Sequence, residues 1–537
     1  MGSRRFSWLI LIVSITVILA ACLPYVYAAT QSNEEYVFGG FLLNPTDGNS
    51  YLAKMYQGWR GDRGFTLPYT SEVGKPAYLF LFYLVLGQIT RLVGTSLPWI
   101  FHIARLFSIA FMLWALCRFC ASVLPQPNYR NLAFALGALG SGLGWLAVPS
   151  GGFTSDFWVA EAYPFLSAYA NPHFPLGTAL FLVILTPPAL KLDDRQMELR
   201  FWLRREWLIL PVALALSAIT PFGVVIACVV LGGLWAWTML DRQANLPKGF
   251  YVSRLVWTVA GGLPLLAYAV WVTTVDPSLR VWNEQNQTPS PLLWDLVLSF
   301  SPLLILAFLG GWHLIQNRKK ADAAGWDTWR IPLVWAVLAL VLVYIPWNLQ
   351  RRFLMGLYIP LSALAPPGLD WLARGKSRRY WFLAALVFLL ILPTNLVVLL
   401  TARHAALTHD PAVYLYSDER EAFDWMREKA PPESVILASP ETGLLVPAYT
   451  GLRVLYGHPF ETVDAKQQEQ AVREAYSGRL DAAEFEAFLD EGGVDYVFYG
   501  PRERSLGNLP DTPQLIPAFQ QGEVIIYSVL GQDGGVQ

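Results

Sequence analysis

Residues 44–76 hold an unusually dense group of side chains that could do chemistry, directly after a first apolar segment. Asp47 stands there in a Pro-Thr-Asp-Gly turn that leads into a predicted helix from Ser50 to Trp59, which is a fixed place for a carboxylate. A fixed carboxylate can act as a general base, and neighbouring cations can bind an anion. For any single charge, a solvated loop residue is the simpler interpretation. The charged residues of the stretch are Asp47, Lys54, Arg60, Asp62, Arg63, Glu72 and Lys75.

The composition predicts that most of the chain lies in a membrane. Of 537 residues, 54% are hydrophobic and only 15% are charged, whereas soluble domains contain about 25% charged residues. Apolar runs of about 18 residues or more recur as far as residue 402, as in transmembrane helices. The net charge of −1 gives no reason to expect nucleic acid as a partner. The lipid bilayer is the expected surrounding.

The distribution of basic residues predicts the topology. Arg4 and Arg5 precede the first apolar run, 7–29, so the N-terminus should be cytoplasmic and the loop with Asp47 should face outward. That run continues past Cys22, which favours an uncleaved anchor over a lipoprotein signal. If the short run 77–93 lies along the outer surface, the later basic loops all fall inside. About eleven spans follow, with the C-terminus outside.

The tail differs in composition from the rest of the chain and predicts a soluble α/β domain outside the membrane. The predicted domains are therefore a transmembrane catalytic domain, 1–402, with a first outer loop at 30–98, and an extracytoplasmic domain, 403–537. Short apolar runs between Pro, Gly and Ser predict strands, and charged amphipathic stretches predict helices. The predicted strands are 434–438, 454–456, 494–499 and 523–529; the predicted helices are 417–428, 463–477 and 481–490.

Other outer segments add candidate site residues. Arg351 and Arg352 lie between two spans with almost no loop, where paired cations either snorkel or hold an anion such as a lipid phosphate. His173, where the second outer loop meets a span, is either a helix-entry residue or a substrate contact. His458 in the tail is interpreted mainly as a turn residue. Alternatively, it lines a groove that faces the active site. The Cys117–Cys120 pair lies in an apolar helix and is read as structural rather than metal-binding.

A family resemblance rests on Asp47-Gly-Asn-Ser-Tyr51, on Lys75-Pro76-Ala-Tyr78-Leu, and on Arg105-Leu106 at the opening of a span. In spacing these residues are similar to the first outer loop of the GT-C glycosyltransferases. The likeness is strongest to the group with the protein O-mannosyltransferases and the lipid A aminoarabinose transferases. That superfamily also has a surface-lying helix after the Lys-Pro motif, about a dozen spans and, in many members, an outer C-terminal domain.

The resemblance implies roles for these residues. Asp47 would deprotonate the acceptor as it attacks the anomeric carbon. Tyr51, in the same motif, would contact the substrate. Lys75 would contact the phosphate of a lipid-linked sugar, Arg105 would support that site, and Arg351 or Arg352 would stabilise the departing phosphate. The family's second acid would be Asp156 or Glu161, with Glu284 as a weaker candidate.

One departure concerns a metal. Many relatives have an acidic pair in the first-loop motif, whereas Gly48 follows Asp47 here, so a divalent metal is left open and no cofactor is assigned. No dinucleotide, Walker or HExxH pattern is present, in agreement with a lipid-phosphate donor.

The leading hypothesis is an inverting, hexosyltransferase-like glycosyltransferase of the bacterial inner membrane. It would move a sugar from a polyprenyl phosphate to a glycan, lipid or protein acceptor on the outer face. The alternatives are a lipid or polysaccharide transporter or flippase, and a non-catalytic membrane scaffold. Charges in outer loops rather than in the spans favour the enzyme over a transporter.

Overall fold

The computed structural model describes residues 8–72, 74–187, 199–241, 248–317 and 323–530. Arg4 and Arg5, which oriented the first span, lie outside them. The described helices are α1 Trp8–Thr30, α2 Pro45–Arg60, α3 Leu81–Val93, α4 Leu97–Val123, α5 Pro127–Leu139, α6 Pro164–Tyr169, α7 His173–Leu185, α8 Leu199–Arg205, α9 Ile209–Ile219, α10 Pro221–Leu240, α11 Lys248–Val275, α12 Pro277–Gln285, α13 Leu293–Phe300, α14 Leu303–Gln316, α15 Ala323–Leu342, α16 Tyr358–Ala373, α17 Ser377–Ile391, α18 Pro393–Leu407, α19 Ser417–Lys429, α20 Pro440–Thr450, α21 Ala465–Tyr476, α22 Ala482–Gly492 and α23 Pro501–Arg504. The strands are β1 Tyr36–Phe38, β2 Tyr414–Tyr416, β3 Val435–Leu437, β4 Arg453–Val454, β5 Tyr496–Tyr499, β6 Leu515–Gln521 and β7 Val524–Val529.

Within the described ranges, five helical segments are long and apolar enough to cross a membrane, or seven if each of two bent pairs is one span. The bent pairs are α5 with the following short 3₁₀ turns, at 46°, and α13 with α14, at 80°. Shorter apolar helices such as α7 and α9 add to these. The chain is a multi-pass membrane protein, and the count of about eleven spans stays a prediction.

The chain divides into two compact units. The helical unit comprises the described residues of Met1–Pro24, His102–Tyr268 and Thr288–Ala402. The loop–tail unit comprises those of Tyr25–Phe101, Ala269–Gln287 and Arg403–Gln537. The first outer loop and the tail thus fold together, although the sequence assigned that loop to the transmembrane domain; the domain assignment itself stays a prediction.

Inside the loop–tail unit, five strands of the tail form a mixed sheet of order β4-β3-β5-β7-β6. Strand β3 runs parallel to β4 and β5, and β7 runs antiparallel to β5 and β6. Strands β1 and β2 form a separate antiparallel pair that ties the first outer loop to the start of the tail. Strands β3, β5 and β7 and helices α19, α21 and α22 lie where the sequence predicts them, whereas β6 and α20 were not predicted.

Helices α2 and α3 cross at a backbone contact that only glycines allow. A Cβ added to Gly58 would lie 2.0 Å from the carbonyl oxygen of Leu84, and one added to Gly87 would lie 1.9 Å from that of Met55. The opposite side of α3 exposes apolar side chains, with Leu92 86% exposed. Such a helix, packed on one side and apolar on the other, suits the predicted position along the membrane surface.

We expect Gly87→Ala to destabilise the loop–tail unit by about 1–3 kcal/mol, because the added methyl group pushes α3 away from α2. The measurement is the melting temperature of the purified protein in detergent. Gly232→Ala is the matched control, since a Cβ there meets nothing within 4 Å. Equal melting temperatures for the two variants would contradict the close crossing.

Candidate active site

Asp47 lies in the first turn of α2 rather than in a turn before it, which corrects the predicted helix start at Ser50. The helix begins early because Asn44 adopts a left-handed conformation, with φ of 49°, and Pro45 follows in the first helical position. The Asn44 side-chain N–H donates to Oδ2 of Asp47 at 2.6 Å. The helix N-terminus favours a negative charge at this point. The side chain of Asp47 is 34% exposed, so a ligand can reach it.

A buried ion pair fixes α2 about two turns further on. Nζ of Lys54 lies 2.7 Å from Oε1 of Glu461, with side-chain exposures of 0% and 9%. The same carboxylate oxygen accepts a hydrogen bond from the Ser50 hydroxyl at 2.6 Å. Burial by itself raises the pKa of Glu461, but the charges of Lys54 and His458 and the hydrogen bonds from Lys54 and Ser50 together outweigh it, and the pKa lies below its ordinary value. Glu461 is therefore a carboxylate at neutral pH.

His458 brings a second group from the tail toward Asp47. Its Nε2 lies 4.0 Å from Oδ1 of Asp47, and its side chain is 3% exposed. Its Nδ1 accepts from the backbone N–H groups of Phe460 and Glu461, both at 3.2 Å. Burial lowers the pKa of His458, although the carboxylates of Glu461 and Asp47 oppose the change. The imidazole is accordingly neutral at pH 7.

Asp156, in the helical unit, is fully buried and saturated with local hydrogen bonds. Its Oδ2 accepts from the backbone N–H groups of Gly142 and Gly144 at 3.2 and 3.0 Å. Its Oδ1 accepts from the Thr154 hydroxyl at 2.7 Å. Burial raises the pKa of Asp156, against the effect of these hydrogen bonds. This arrangement ties the outer-loop segment together and leaves little room for substrate.

Glu161 is placed differently, beside the paired arginines. Its Oε1 accepts from Nη1 of Arg352 at 3.1 Å, and Arg352 remains 23% exposed. The guanidinium of Arg351 lies over the Trp158 ring, 4.4 Å from its centroid. Both arginines are thus held by neighbours of opposite charge or by an aromatic face, in the segment where the sequence predicts an anion site.

Arg105 is buried in α4 and makes contacts to main-chain oxygens. Its Nη1 donates to the carbonyl oxygens of Ala21 and Tyr169 at 3.0 and 2.9 Å. The guanidinium therefore joins α1, α4 and the end of α6. These contacts indicate a role in holding helices together, and the implied contact with a phosphate stays a prediction.

The remaining predicted site residues are spread over both units. Tyr51 stacks on Tyr83 with ring centroids 4.3 Å apart. Lys75 is exposed in the first outer loop, and Glu284 is exposed on α12. His173 is the first residue of α7 and is 8% exposed, as a helix-entry residue would be. The roles of these four residues as substrate contacts stay predictions.

Glu461 is the functional candidate that sequence reasoning missed. It lies 407 residues from Lys54, and an isolated Glu after a turn carries no signal of its partner. The Gly-His-Pro-Phe turn directly before it, which contains His458, is the only nearby clue in the sequence. Across the described ranges, His, Cys, Asp and Glu side chains form no group of three or more suited to a metal. The question of a divalent metal is unchanged by this.

Breaking the buried ion pair should destabilise the loop–tail unit strongly. Lys54→Met leaves a buried carboxylate without its cation, with an expected loss of about 3–5 kcal/mol, whereas Lys54→Met with Glu461→Leu should recover most of it. The folded-state pKa of Glu461 is lowered, so the pair contributes fully above the ordinary value of 4.5 and is lost as pH falls through the folded value. Melting temperatures of the wild type, the single variant and the double variant from pH 7 downward measure this coupling.

Lys75→Met is the control for the loss of an exposed lysine in the same unit and should change stability by less than about 0.5 kcal/mol. A single Lys54→Met variant that melts like the wild type would refute the importance of the pair.

Substitutions of Asp156 and Glu161 should differ in their effect on the stability of the protein. Asp156→Ala leaves three buried donors without an acceptor, at about 1–3 kcal/mol each, so we expect a clear fall in melting temperature. Glu161→Gln keeps a hydrogen-bond acceptor for Arg352 and should melt close to the wild type. If Asp156→Ala is as stable as the wild type, the structural reading of Asp156 is wrong.

Known structures share this architecture over most of the chain. An oligosaccharyltransferase from Archaeoglobus fulgidus, crystallised with a tethered acceptor peptide containing the NVT sequon, is 12% identical. The match covers 92% of this chain and 68% of that chain, with a TM-score of 0.57. ArnT from Cupriavidus metallidurans bound to undecaprenyl phosphate matches 98% of this chain and 100% of its own at 14% identity, with a TM-score of 0.49. Neither a protein-family model nor a curated protein sequence matches. The chain has the fold of the GT-C glycosyltransferases, as the resemblance of its first outer loop implied.

Proposed function

We propose that this protein is an inverting glycosyltransferase that takes a sugar from a polyprenyl-phosphate donor and transfers it to an acceptor on the extracytoplasmic face. The observation that carries the proposal is the Asp47 carboxylate. It is fixed by Asn44 at a helix N-terminus, anchored by a buried ion pair two turns away, and still open to a ligand. The GT-C fold supports the proposal. The bacterial inner membrane is the proposed location, with the loop–tail unit outside.

In this reaction Asp47 acts as the general base. The acceptor's proton passes to the carboxylate while the acceptor forms a bond to the anomeric carbon of the donor sugar. The bond between that carbon and the phosphate oxygen breaks, and polyprenyl phosphate leaves with the electron pair. A single displacement from the face opposite the leaving group inverts the configuration. A held carboxylate needs no further reorganisation for this step.

The departing phosphate gains negative charge, which fixed cations stabilise in a poorly hydrated site. Arg351 and Arg352 are the proposed cations, since a guanidinium matches a phosphate in geometry and charge. Lys75, exposed on the first outer loop, is the proposed third. Arg105 contributes in this scheme through the helices that it joins.

Glu161 is the better candidate for the second acid. Asp156 is fully enclosed and its oxygens are occupied by backbone and hydroxyl donors, whereas Glu161 faces a partly exposed arginine. Glu161 would orient Arg352 toward the phosphate rather than carry the proton. Tyr51, His173 and Glu284 are proposed as substrate contacts because the sequence places all three in outer segments or at their edge.

The test is sugar transfer in membranes that contain the full chain, with a panel of radiolabelled polyprenyl-phosphate sugars. Asp47→Asn keeps the size and polarity of the side chain but removes the base, so transfer should fall at least about 100-fold, the lower range for a general base. Asp511→Asn is the matched control, because Asp511 is exposed on the same unit. We expect it to keep full activity at equal protein level.

Equal transfer by wild type and Asp47→Asn would remove Asp47 from the reaction. Absence of polyprenyl phosphate release from every donor in the panel would contradict the glycosyltransferase proposal and favour the transporter and scaffold alternatives.

A further inference from the structure

The space between His458 and Asp47 has two sides of opposite hydrogen-bonding character. On one side stands Oδ1 of Asp47, an acceptor. On the other stands Nε2 of His458, which is buried and has no hydrogen-bond partner among the described residues. The two atoms are 4.0 Å apart, too far for a direct hydrogen bond.

The tautomer of His458 follows from its other nitrogen. The backbone N–H groups of Phe460 and Glu461 both point at Nδ1, which must therefore present its lone pair. In the neutral ring the proton then resides on Nε2. Protonation of Nδ1 would bring a third hydrogen against two N–H donors, so the ring works as a neutral donor and not as a base.

The separation of the two atoms suits a single bridging oxygen atom. An oxygen about 2.8 Å from each of the two atoms would subtend an angle of about 90° between them, within the range for a group that makes two hydrogen bonds. Such an atom must accept from Nε2–H and donate to the carboxylate. The Asp47 side gives access, since that side chain is 34% exposed while His458 is enclosed.

We propose that this gap binds the attacking group of the acceptor, and that this group is a hydroxyl. The inference rests on the proposed function and specifies its acceptor class. A hydroxyl has one hydrogen for Asp47 and lone pairs for His458, so it satisfies both sides at once. His458 thereby becomes a substrate-binding residue that the tail supplies to the first outer loop.

Other nucleophiles fail on one side of the gap. A carboxamide nitrogen and an ammonium have hydrogens but no lone pair to accept from Nε2–H. A phosphate oxygen can accept from His458, but it has no proton for Asp47 and brings a second negative charge beside the carboxylate. Binding of a carboxamide nitrogen or an ammonium would leave the buried Nε2–H without an acceptor, which costs free energy.

The step balances with a hydroxyl. The O–H bond breaks and its proton passes to Asp47, the oxygen bonds to the anomeric carbon, and polyprenyl phosphate departs with the electrons of the broken C–O bond. His458 donates to the attacking oxygen through Nε2–H and aims its remaining lone pair toward the sugar. It keeps its own proton throughout.

The experiment uses the full chain in membranes with the labelled donor panel and three acceptor probes. These are octyl glucoside as an alcohol, dodecyl phosphate as a phosphate monoester, and an asparagine-containing peptide as a carboxamide. Released polyprenyl phosphate and labelled acceptor are measured separately. We expect release and transfer with octyl glucoside alone.

Variants of His458 test its role. Glutamine can offer an oxygen to the two backbone N–H groups and an N–H to the acceptor, so His458→Gln should keep transfer within about threefold. His458→Met removes the donor and should raise the acceptor KM about tenfold, with a smaller effect on the donor KM. His404→Met is the matched control at an exposed histidine and should leave both KM values unchanged.

The outcomes separate the two claims. Release with transfer to dodecyl phosphate or to the peptide leaves the proposed function intact and overturns the hydroxyl acceptor. An acceptor KM that is equal in wild type and His458→Met overturns the role of His458. Absence of release with any probe overturns the proposed function and this inference with it. If His458→Met does not fold, the probe panel with the wild type still decides the acceptor class.

Discussion

The buried ion pair between Lys54 and Glu461 is the constraint on which the candidate site depends. A lysine with no exposed surface is stable in its charged form only with a carboxylate and further hydrogen bonds around it. Glu461 and the Ser50 hydroxyl supply these. Since the two charges come from α2 and from the tail, neither segment can shift without leaving a charge buried alone. Asp47 lies two turns before Lys54 on the same helix, so the ion pair also fixes the position of Asp47.

This arrangement places two residues of the tail against the helix that carries the proposed general base. Glu461 holds α2, and three residues earlier His458 faces the Asp47 carboxylate. One short turn therefore carries both residues, and two hydrogen bonds from backbone N–H groups to Nδ1 of His458 fix that turn.

Local features of the site could be predicted from the sequence, whereas partnerships between distant segments could not. The first-loop carboxylate, the surface-type helix α3 and most tail strands follow from turn residues, amphipathic pattern and alternation. Glu461 could not be assigned, because charge pairing over 407 residues leaves no trace in a single sequence. The choice between Asp156 and Glu161 also required structure, since burial and hydrogen bonds distinguish them and residue type does not. Bent helix pairs and short apolar helices explain why the span count could not be fixed from hydropathy.

Hydrogen exchange of the backbone amides in α2 tests the central claim most directly. In detergent at neutral pH, Glu461→Leu should raise exchange in peptides from residues 45–60, because Lys54 loses its counter-charge and the helix its anchor. Peptides from α6 and α7 in the helical unit should exchange as in the wild type. Unchanged protection of residues 45–60 in a folded Glu461→Leu protein would contradict the account, since the position of Asp47 would then not depend on the tail.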